Sequence, residues 1–211
     1  MFTSDRRQFG RDCWYDGLLY DKLVSPMGRF MIPTILDCVQ EASTVLEVGC
    51  GPGQLALALG AKCRRVLAVD TSARMIQYAN SIKARRGIVN VDFVKMDAAR
   101  LTAAIHEHFD CAVSCMCLHE LDDNVREAIA RNCTKVADNL IITDFMAPFP
   151  PTIVGLGNHI LEVMGGRRHY GNFRAWQAGG GIDGFIGRMS LTKLFESEWG
   201  DRCGKTVVVV G

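Results

Sequence analysis

Two carboxylates and three glycines stand at spacings that can do chemistry. Residues 44–53 (TVLEVGCGPG) form an apolar run that carries Glu47 and then turns through Gly49, Cys50, Gly51, Pro52 and Gly53 into a helical pattern starting at Gln54. A second apolar run, residues 66–70 (VLAVD), stops on Asp70. Strand, glycine turn, helix and strand in that order make a βαβ unit closing on an acid. Glycine allows the sharp turn and a close backbone approach to a ligand. Asp70, at the carboxyl end of its strand, is placed to accept hydrogen bonds from a ribose hydroxyl pair. The unit predicts a nucleoside site.

The kind of nucleoside follows from the loop. A dinucleotide fingerprint reads G-x-G-x-x-G, with a pyrophosphate on the helix N-terminus. Here the spacing is G-x-G-x-G, with Pro52 inside the turn and Gln54 in place of the last glycine. Glu47 beside the loop would repel a pyrophosphate and suits a cofactor carrying an ammonium and a sulfonium, such as S-adenosylmethionine.

Residues 47–53 (EVGCGPG) resemble the first motif of the class I S-adenosylmethionine-dependent methyltransferases, and later segments keep the order of that family. Asp70 matches its ribose-binding acid. Residues 91–97 (VDFVKMD) match its third strand with an acid near the adenine, residues 109–121 (FDCAVSCMCLHEL) its fourth strand and following loop, and residues 139–144 (NLIITD) its fifth strand. The resemblance runs from about Tyr15 to the C-terminus. It implies an α/β fold: a doubly wound, mostly parallel seven-stranded sheet of Rossmann-like methyltransferase type, with helices on both faces and a terminal antiparallel hairpin. It also implies S-adenosyl-L-methionine as cofactor, S-adenosyl-L-homocysteine as product, and methyl transfer by in-line attack of a small-molecule acceptor, catalysed mainly by positioning and desolvation.

On this resemblance the cofactor residues are Glu47, Gly49, Cys50, Gly51, Gly53, Asp70, Thr71, Met75, Asp97, Ala98 and Cys115. Met75 reads as core or as a ribose-side contact, and Asp97 as the acid near the adenine or as a cap for the next turn. Tyr20, with Tyr15, resembles the tyrosines that close over the methionine end in many members, with core packing as the other reading. The LHEL stretch at 118–121 resembles a loop of the ubiquinone and menaquinone methyltransferases. It makes His119 the base candidate, against a purely structural role; a base serves only where the acceptor loses a proton during attack. Residues 167–176 (RRHYGNFRAW) resemble a stretch lying over the active site of small methyltransferases. His159, His169, Tyr170, Asn172 and Arg174 then supply the acceptor pocket; a solvated connecting loop is the alternative.

Composition bounds the rest. A chain of 211 residues, 48% hydrophobic and 22% charged, fits a single α/β domain over 1–211. Twenty-four basic against twenty-three acidic residues leave a formal charge of +1, which offers no general field for nucleic acid or an anionic membrane. The N-terminus lacks an apolar signal core and no stretch reaches the roughly 18–20 apolar residues of a membrane span, so a cytoplasmic location is expected. Nine cysteines, an odd number set largely in apolar runs, read as reduced core thiols. Cys115-x-Cys117 raises an arsenite methyltransferase reading, but the rest of that cysteine pattern is missing. No paired C-x-x-C or Cys/His spacing predicts a metal.

The supporting elements read as follows. Residues 1–42 are a helical cover, with a break at Ser25-Pro26 and a second helix over about 28–41. Helix 73–85 follows candidate caps Thr71 and Ser72. Strands are expected at 91–95, 109–114 and 140–143, with a helix over about 124–132 between the last two. Segment 146–187, an apolar helix at 152–164 followed by a glycine-rich stretch without a burying period, reads as the specificity segment. Two extended runs at 190–199 and 205–210 close the chain as a hairpin. An apolar patch on that hairpin or on 152–164 would support a homodimer. A non-catalytic S-adenosylmethionine-binding protein and an NAD-dependent oxidoreductase remain as other readings, and the fold does not fix the acceptor.

Overall fold

Strand β1 (Thr44–Val48) is an inner strand, third in a sheet whose order is β3-β2-β1-β4-β5-β7-β6, with β2 (Arg65–Asp70), β3 (Val91–Lys95), β4 (Cys111–Cys115) and β5 (Leu140–Phe145) parallel to it. The structure, a computed structural model, describes residues 25–211, with side chains from residue 31; Tyr15 and Tyr20 lie outside these. The terminal strands β6 (Thr192–Trp199) and β7 (Gly204–Val210) pair antiparallel, and β7 runs antiparallel to β5. This is the doubly wound, mostly parallel seven-stranded sheet with a terminal hairpin that the sequence predicts.

Central parallel strands are covered on both faces, so their sequences are continuously apolar and side chains sort by parity. Leu46, Val48, Leu67, Val69, Ala112, Leu140 and Ile142 point to one core, shared with α5 (Asp123–Val136), α7 (Arg167–Ala178) and α8 (Gly181–Arg188). Val45, Val66, Ala68, Val91, Phe93, Val113 and Ile141 point to the other, shared with α1 (Ser25–Cys38), α2 (Gln54–Leu59) and α3 (Ala73–Arg86). Glu47 is the exception within this second face: a carboxylate 2% exposed, in register with Ala68 on β2 and Val113 on β4. Such a residue is retained for something other than packing.

Caps fix the helix that carries the chain away from Asp70. The Ser72 hydroxyl accepts from Met75 N at 3.3 Å, and Gly87 closes α3 in the left-handed region at φ 65° behind Lys83, Arg85 and Arg86. Of the two predicted caps, Ser72 acts and Thr71 stays exposed.

The region after β5 departs from expectation. The helix α6 (Ile153–Met164) forms as predicted, but the stretch read as irregular is helical as well, giving α7 and α8. Tyr170, Phe173, Trp176 and Gln177 recur at helical spacing; Phe173 and Trp176 are fully buried, and the Trp176 indole donates to Phe145 O at 2.9 Å. Arg126 of α5, itself buried, stacks over Trp176 at 5.2 Å and donates to Leu121 O. Interspersed Gly171 and Arg174 hide this stripe in the sequence. Ser25 and Pro26, where a break was expected, already lie within α1, and α5 extends four residues past its expected end to Val136. On α6, Ile153, Leu156 and Ile160 are 91%, 62% and 51% exposed, the apolar patch anticipated there. No described helix is long and apolar enough to cross a membrane.

Candidate functional site

Strand order reverses between β1 and β4, and in such sheets ligands bind at the carboxyl ends beside that reversal. A cavity of about 300 Å³ lies there, within the usual range for ligand sites. Its wall contains Glu47, Gly49, Cys50, Gly51, Asp70, Thr71, Met75, Asp97, Ala98 and Cys115, which are ten of the eleven described residues expected to hold the cofactor. Gly53 is the exception. Ile32 of α1, Met96, Met116, Cys117 and Leu121 complete much of the apolar lining, and Glu120 adds a carboxylate.

The loop's hydrogen bonds decide what the cavity can accept. Gly49 N and Cys50 N both donate to Val69 O, at 2.9 and 3.1 Å, and Gly53 N donates to Cys50 O at 2.9 Å. Gly51 N donates to Asp70 Oδ2 at 2.9 Å, and Pro52 has no N–H. Every amide from 49 to 53 is therefore spent within the protein. A pyrophosphate site needs those donors free, and the loop offers none.

Negative charge takes their place. Ala56 N–H, at the start of α2, donates to the Glu47 carboxylate, while Glu47 Oε2 is buried without a partner among the described residues. Burial, then the nearby Asp70 charge, raises the Glu47 pKa to about 8 despite the Ala56 bond. A buried acceptor with an open lone pair and a suppressed charge is complementary to a cationic N–H donor. Asp70 accepts from Gly51 N through Oδ2 and from Ser72 N through Oδ1 at 2.7 Å, so the acid both braces the loop and faces the cavity. Burial raises its pKa as well, against those backbone bonds. Asp97 Oδ1 accepts from Ala99 N at 3.0 Å, so it caps the next turn and lines the cavity at once.

The glycines divide by role, which corrects the expectation that all three clear space for a ligand. A Cβ on Gly49 would meet Cys117 Sγ at 2.4 Å, and one on Gly53 would meet Phe93 at 2.6 Å. Only at Gly51 would it stand in open space. Gly49, at φ +74°, thus serves packing against the β4 loop. Gly49→Ala is expected to destabilise by about 2–4 kcal/mol through overpacking and left-handed strain, whereas Gly51→Ala, at φ +50°, costs about 1–2 kcal/mol and places a methyl at the cavity wall. Urea unfolding of both variants, read beside cofactor binding, checks the contrast; equal destabilisation would refute it.

Beyond Cys115 the chain reaches a second cluster. His119, 2% exposed, brings Nδ1 to 2.7 Å from Oδ1 of Asp144, a fully buried acid at the end of β5. Asp144 Oδ2 also accepts from Leu118 N and His119 N, at 3.0 and 3.3 Å, and Oδ1 accepts from Phe145 N at 2.7 Å. Burial opposes a charged His119 imidazole, but Asp144, then Glu162 and Glu120, outweigh it and raise the pKa to about 9. His169 Nε2 lies 2.6 Å from Glu162 Oε2, and Tyr170 Oη lies 3.2 Å from His159 Nε2. Of the residues expected to form an acceptor pocket, His169 comes within 3.9 Å of Glu120, while His159 and Tyr170 pair with each other against the Phe173 ring. Asn172 instead donates to Glu120 O at 2.7 Å, and Arg174 turns to solvent. Sequence reasoning missed Asp144 and Glu162. Asp144 repeats the strand-end acid seen at Asp70, a signal that could have found it; Glu162 sits in an apolar helix and gave none.

The described cysteines are all free. Burial and neighbouring carboxylates push Cys115 and Cys117 well above the ordinary thiol range, leaving them protonated. Among the described residues they belong to no metal-competent group.

Comparisons with known proteins agree with this geometry. Residues 45–139 match the family model described as a methyltransferase domain. That match covers a little under half of this chain. A tRNA/tmRNA (uracil-C(5))-methyltransferase from Campylobacter curvus (strain 525.92) is 41% identical over 113 residues, 48% of this chain and 30% of that protein. The uncharacterized methyltransferase YcgJ of Bacillus subtilis (strain 168) is 28% identical over 118 residues, 55% of this chain and 46% of that protein. The chain thus spans less than half the length of either. Among solved structures, the N-methyltransferase NodS from Bradyrhizobium japonicum WM9, in complex with S-adenosyl-L-homocysteine, superposes with a TM-score of 0.63 at 17% identity, covering 96% of this chain and 94% of that one. The PH0226 protein from Pyrococcus horikoshii OT3 superposes at 0.65 and 16% identity, covering 100% and 99%. At those identities the likeness is one of fold.

Proposed function

We propose that this chain binds S-adenosylmethionine in the cavity at the carboxyl ends of β1, β2 and β4 and transfers its methyl group to a small molecule. The observation that carries the reading is the pairing of a fully spent loop backbone with the orphaned, buried Glu47 Oε2, an arrangement that selects a cation over a phosphate. Glu47 would take the ammonium, Asp70 the ribose hydroxyls with Met75 on the ribose side, and Asp97 and Ala98 the adenine side. When bound, the cofactor supplies an already electrophilic methyl on sulfonium. The protein's part is alignment, where effective molarities of order 10⁵ M are attainable, and exclusion of water by α1 and by the loop after β4. The acceptor would enter from the side of Glu120, His159 and Tyr170. The named substrate of the Campylobacter relative is RNA, but a formal charge of +1 provides little to hold a phosphate backbone, which favours a small acceptor.

Thermal unfolding with S-adenosylmethionine, S-adenosylhomocysteine or NAD at equal excess tests the cofactor. Stabilisation by the first two of about 2.7 kcal/mol at a hundredfold excess over Kd is expected; stabilisation by NAD alone would overturn the reading. Release of S-adenosylhomocysteine on an acceptor panel then separates an enzyme from a non-catalytic binding protein.

A further inference from the structure

We propose that His119, Glu120 and His169, with Glu162 beside them, form a binding site for one divalent first-row transition-metal ion at the acceptor end of the cofactor cavity. One ligand atom from each of the first three residues lies within 4.8 Å of the others. These atoms come from two segments, the turn after β4 and the start of α7, and Glu162 adds the end of α6.

The buried imidazole of His119 is the independent observation. Its Nδ1 is engaged by Asp144, so Nε2 is the atom left for a ligand, and among the described residues it makes no hydrogen bond. It faces Glu162 Oε2 at 3.6 Å and Glu120 Oε1 at 3.9 Å. His169 approaches the same carboxylates, with Nε2 at 2.6 Å from Glu162 Oε2 and Nδ1 at 3.9 Å from Glu120 Oε2. Ligands about 2.0–2.2 Å from a common ion stand roughly 3–3.5 Å apart. With one ligand atom from each of His119, Glu120 and His169 the separations reach up to 4.8 Å, so side-chain adjustments of about one to two ångströms would close the shell.

Asp144 supplies what a metal-bound histidine requires. A carboxylate accepting from the far ring nitrogen fixes the tautomer and aims the other nitrogen, and Asp144 is itself held by three backbone N–H groups. Two imidazoles with carboxylates suit zinc, manganese or ferrous iron, whereas magnesium prefers oxygen ligands alone. The ligands are scattered at 119, 120, 162 and 169, which is why no spacing in the sequence announced them. Glu120 also lines the cofactor cavity, so the ion would stand where the acceptor enters. On the reading of methyl transfer given above, this narrows the acceptor to molecules presenting an oxygen that can join the ion's open positions.

The test is direct metal binding, independent of activity. Chelator-treated full-length protein is titrated with Co(II), Zn(II), Mn(II) and Mg(II), following the Co(II) d–d absorption and the bound metal per chain after gel filtration. One equivalent of cobalt or zinc per chain is expected. His169→Gln, at a largely buried position whose side chain is 13% exposed, should weaken binding at least a hundredfold while S-adenosylhomocysteine still binds; Glu162→Gln should weaken it tenfold or more. No retained metal in folded wild-type protein that binds S-adenosylhomocysteine would overturn the proposal and leave the cluster as two imidazoles paired with carboxylates. Undiminished binding in His169→Gln would overturn it too. Loss of S-adenosylhomocysteine binding with metal retained would instead count against the cofactor reading alone.

Discussion

Replacing Glu47 by Gln is expected to make the ligand-free protein more stable at alkaline pH and markedly poorer at holding its cofactor. In the folded protein the carboxyl pKa is raised from 4.5 to about 8. Between those values the native state keeps a proton that the unfolded chain has lost. Stability that is fully present below about pH 4.5 therefore declines as pH rises, until Glu47 ionises in the folded state near 8. At about 1.4 kcal/mol per pH unit the loss totals roughly 5 kcal/mol. Glutamine has the shape of the protonated form and does not titrate, so its advantage over the native residue should widen by about 3 kcal/mol between pH 6 and pH 9. The same change removes the charged partner proposed for the cofactor's ammonium. A charge-assisted hydrogen bond of about 1.5–3 kcal/mol predicts a weakening of roughly 10- to 150-fold. Urea unfolding at the two pH values, with cofactor titration at pH 8, checks both halves; a stability gap that stays constant with pH would contradict the buried charge.

Asp70 should respond in the opposite sense, with binding and stability both falling. Asp70→Ala strips acceptors from Gly51 N and Ser72 N, and two orphaned, part-buried amides cost about 1–3 kcal/mol each. The ribose partner disappears as well, so affinity for S-adenosylhomocysteine is expected to fall at least a hundredfold. Asp70→Asn separates the two roles. It keeps an oxygen for one of the amides, so it should lose less stability than Ala while still losing most of the binding. Since the Asp70 charge is one reason that Glu47 resists ionisation, the Asn variant should also lower the pH at which Glu47 titrates. Unfolding midpoints and binding isotherms measured on the two variants in parallel test this; Asn behaving like the native residue in binding would remove Asp70 from the ribose role.

The cofactor half of the site was legible because its parts are local. Glu47, the glycine turn and Asp70 lie within a single βαβ unit, where strand parity and loop spacing decide which side chains meet. Even there, the sequence could not show that Gly49 and Gly53 are demanded by Cys117 and Phe93, since those contacts join distant strands. The acceptor half was legible only as a list. His159, His169 and Tyr170 were expected near the site, but the meeting of His169 with His119, Glu120, Glu162 and Asp144 depends on how α6 and α7 fold back over the end of β5. The helical stripe of α7 was hidden by Gly171 and by charged neighbours. Its recognition required Phe145 and Arg126, which form the pocket into which Phe173 and Trp176 pack.

Calorimetric titration of the purified protein with S-adenosylhomocysteine at pH 7, in two buffers of different ionisation enthalpy, tests the central claim most directly. The account predicts one site per chain and release of close to one proton on binding, as the Glu47 carboxyl ionises against the ligand's ammonium, with Glu47→Gln abolishing the release. Absence of binding heat in both buffers, or binding without proton release in the native protein, would contradict the assignment of this cavity to a cationic nucleoside cofactor.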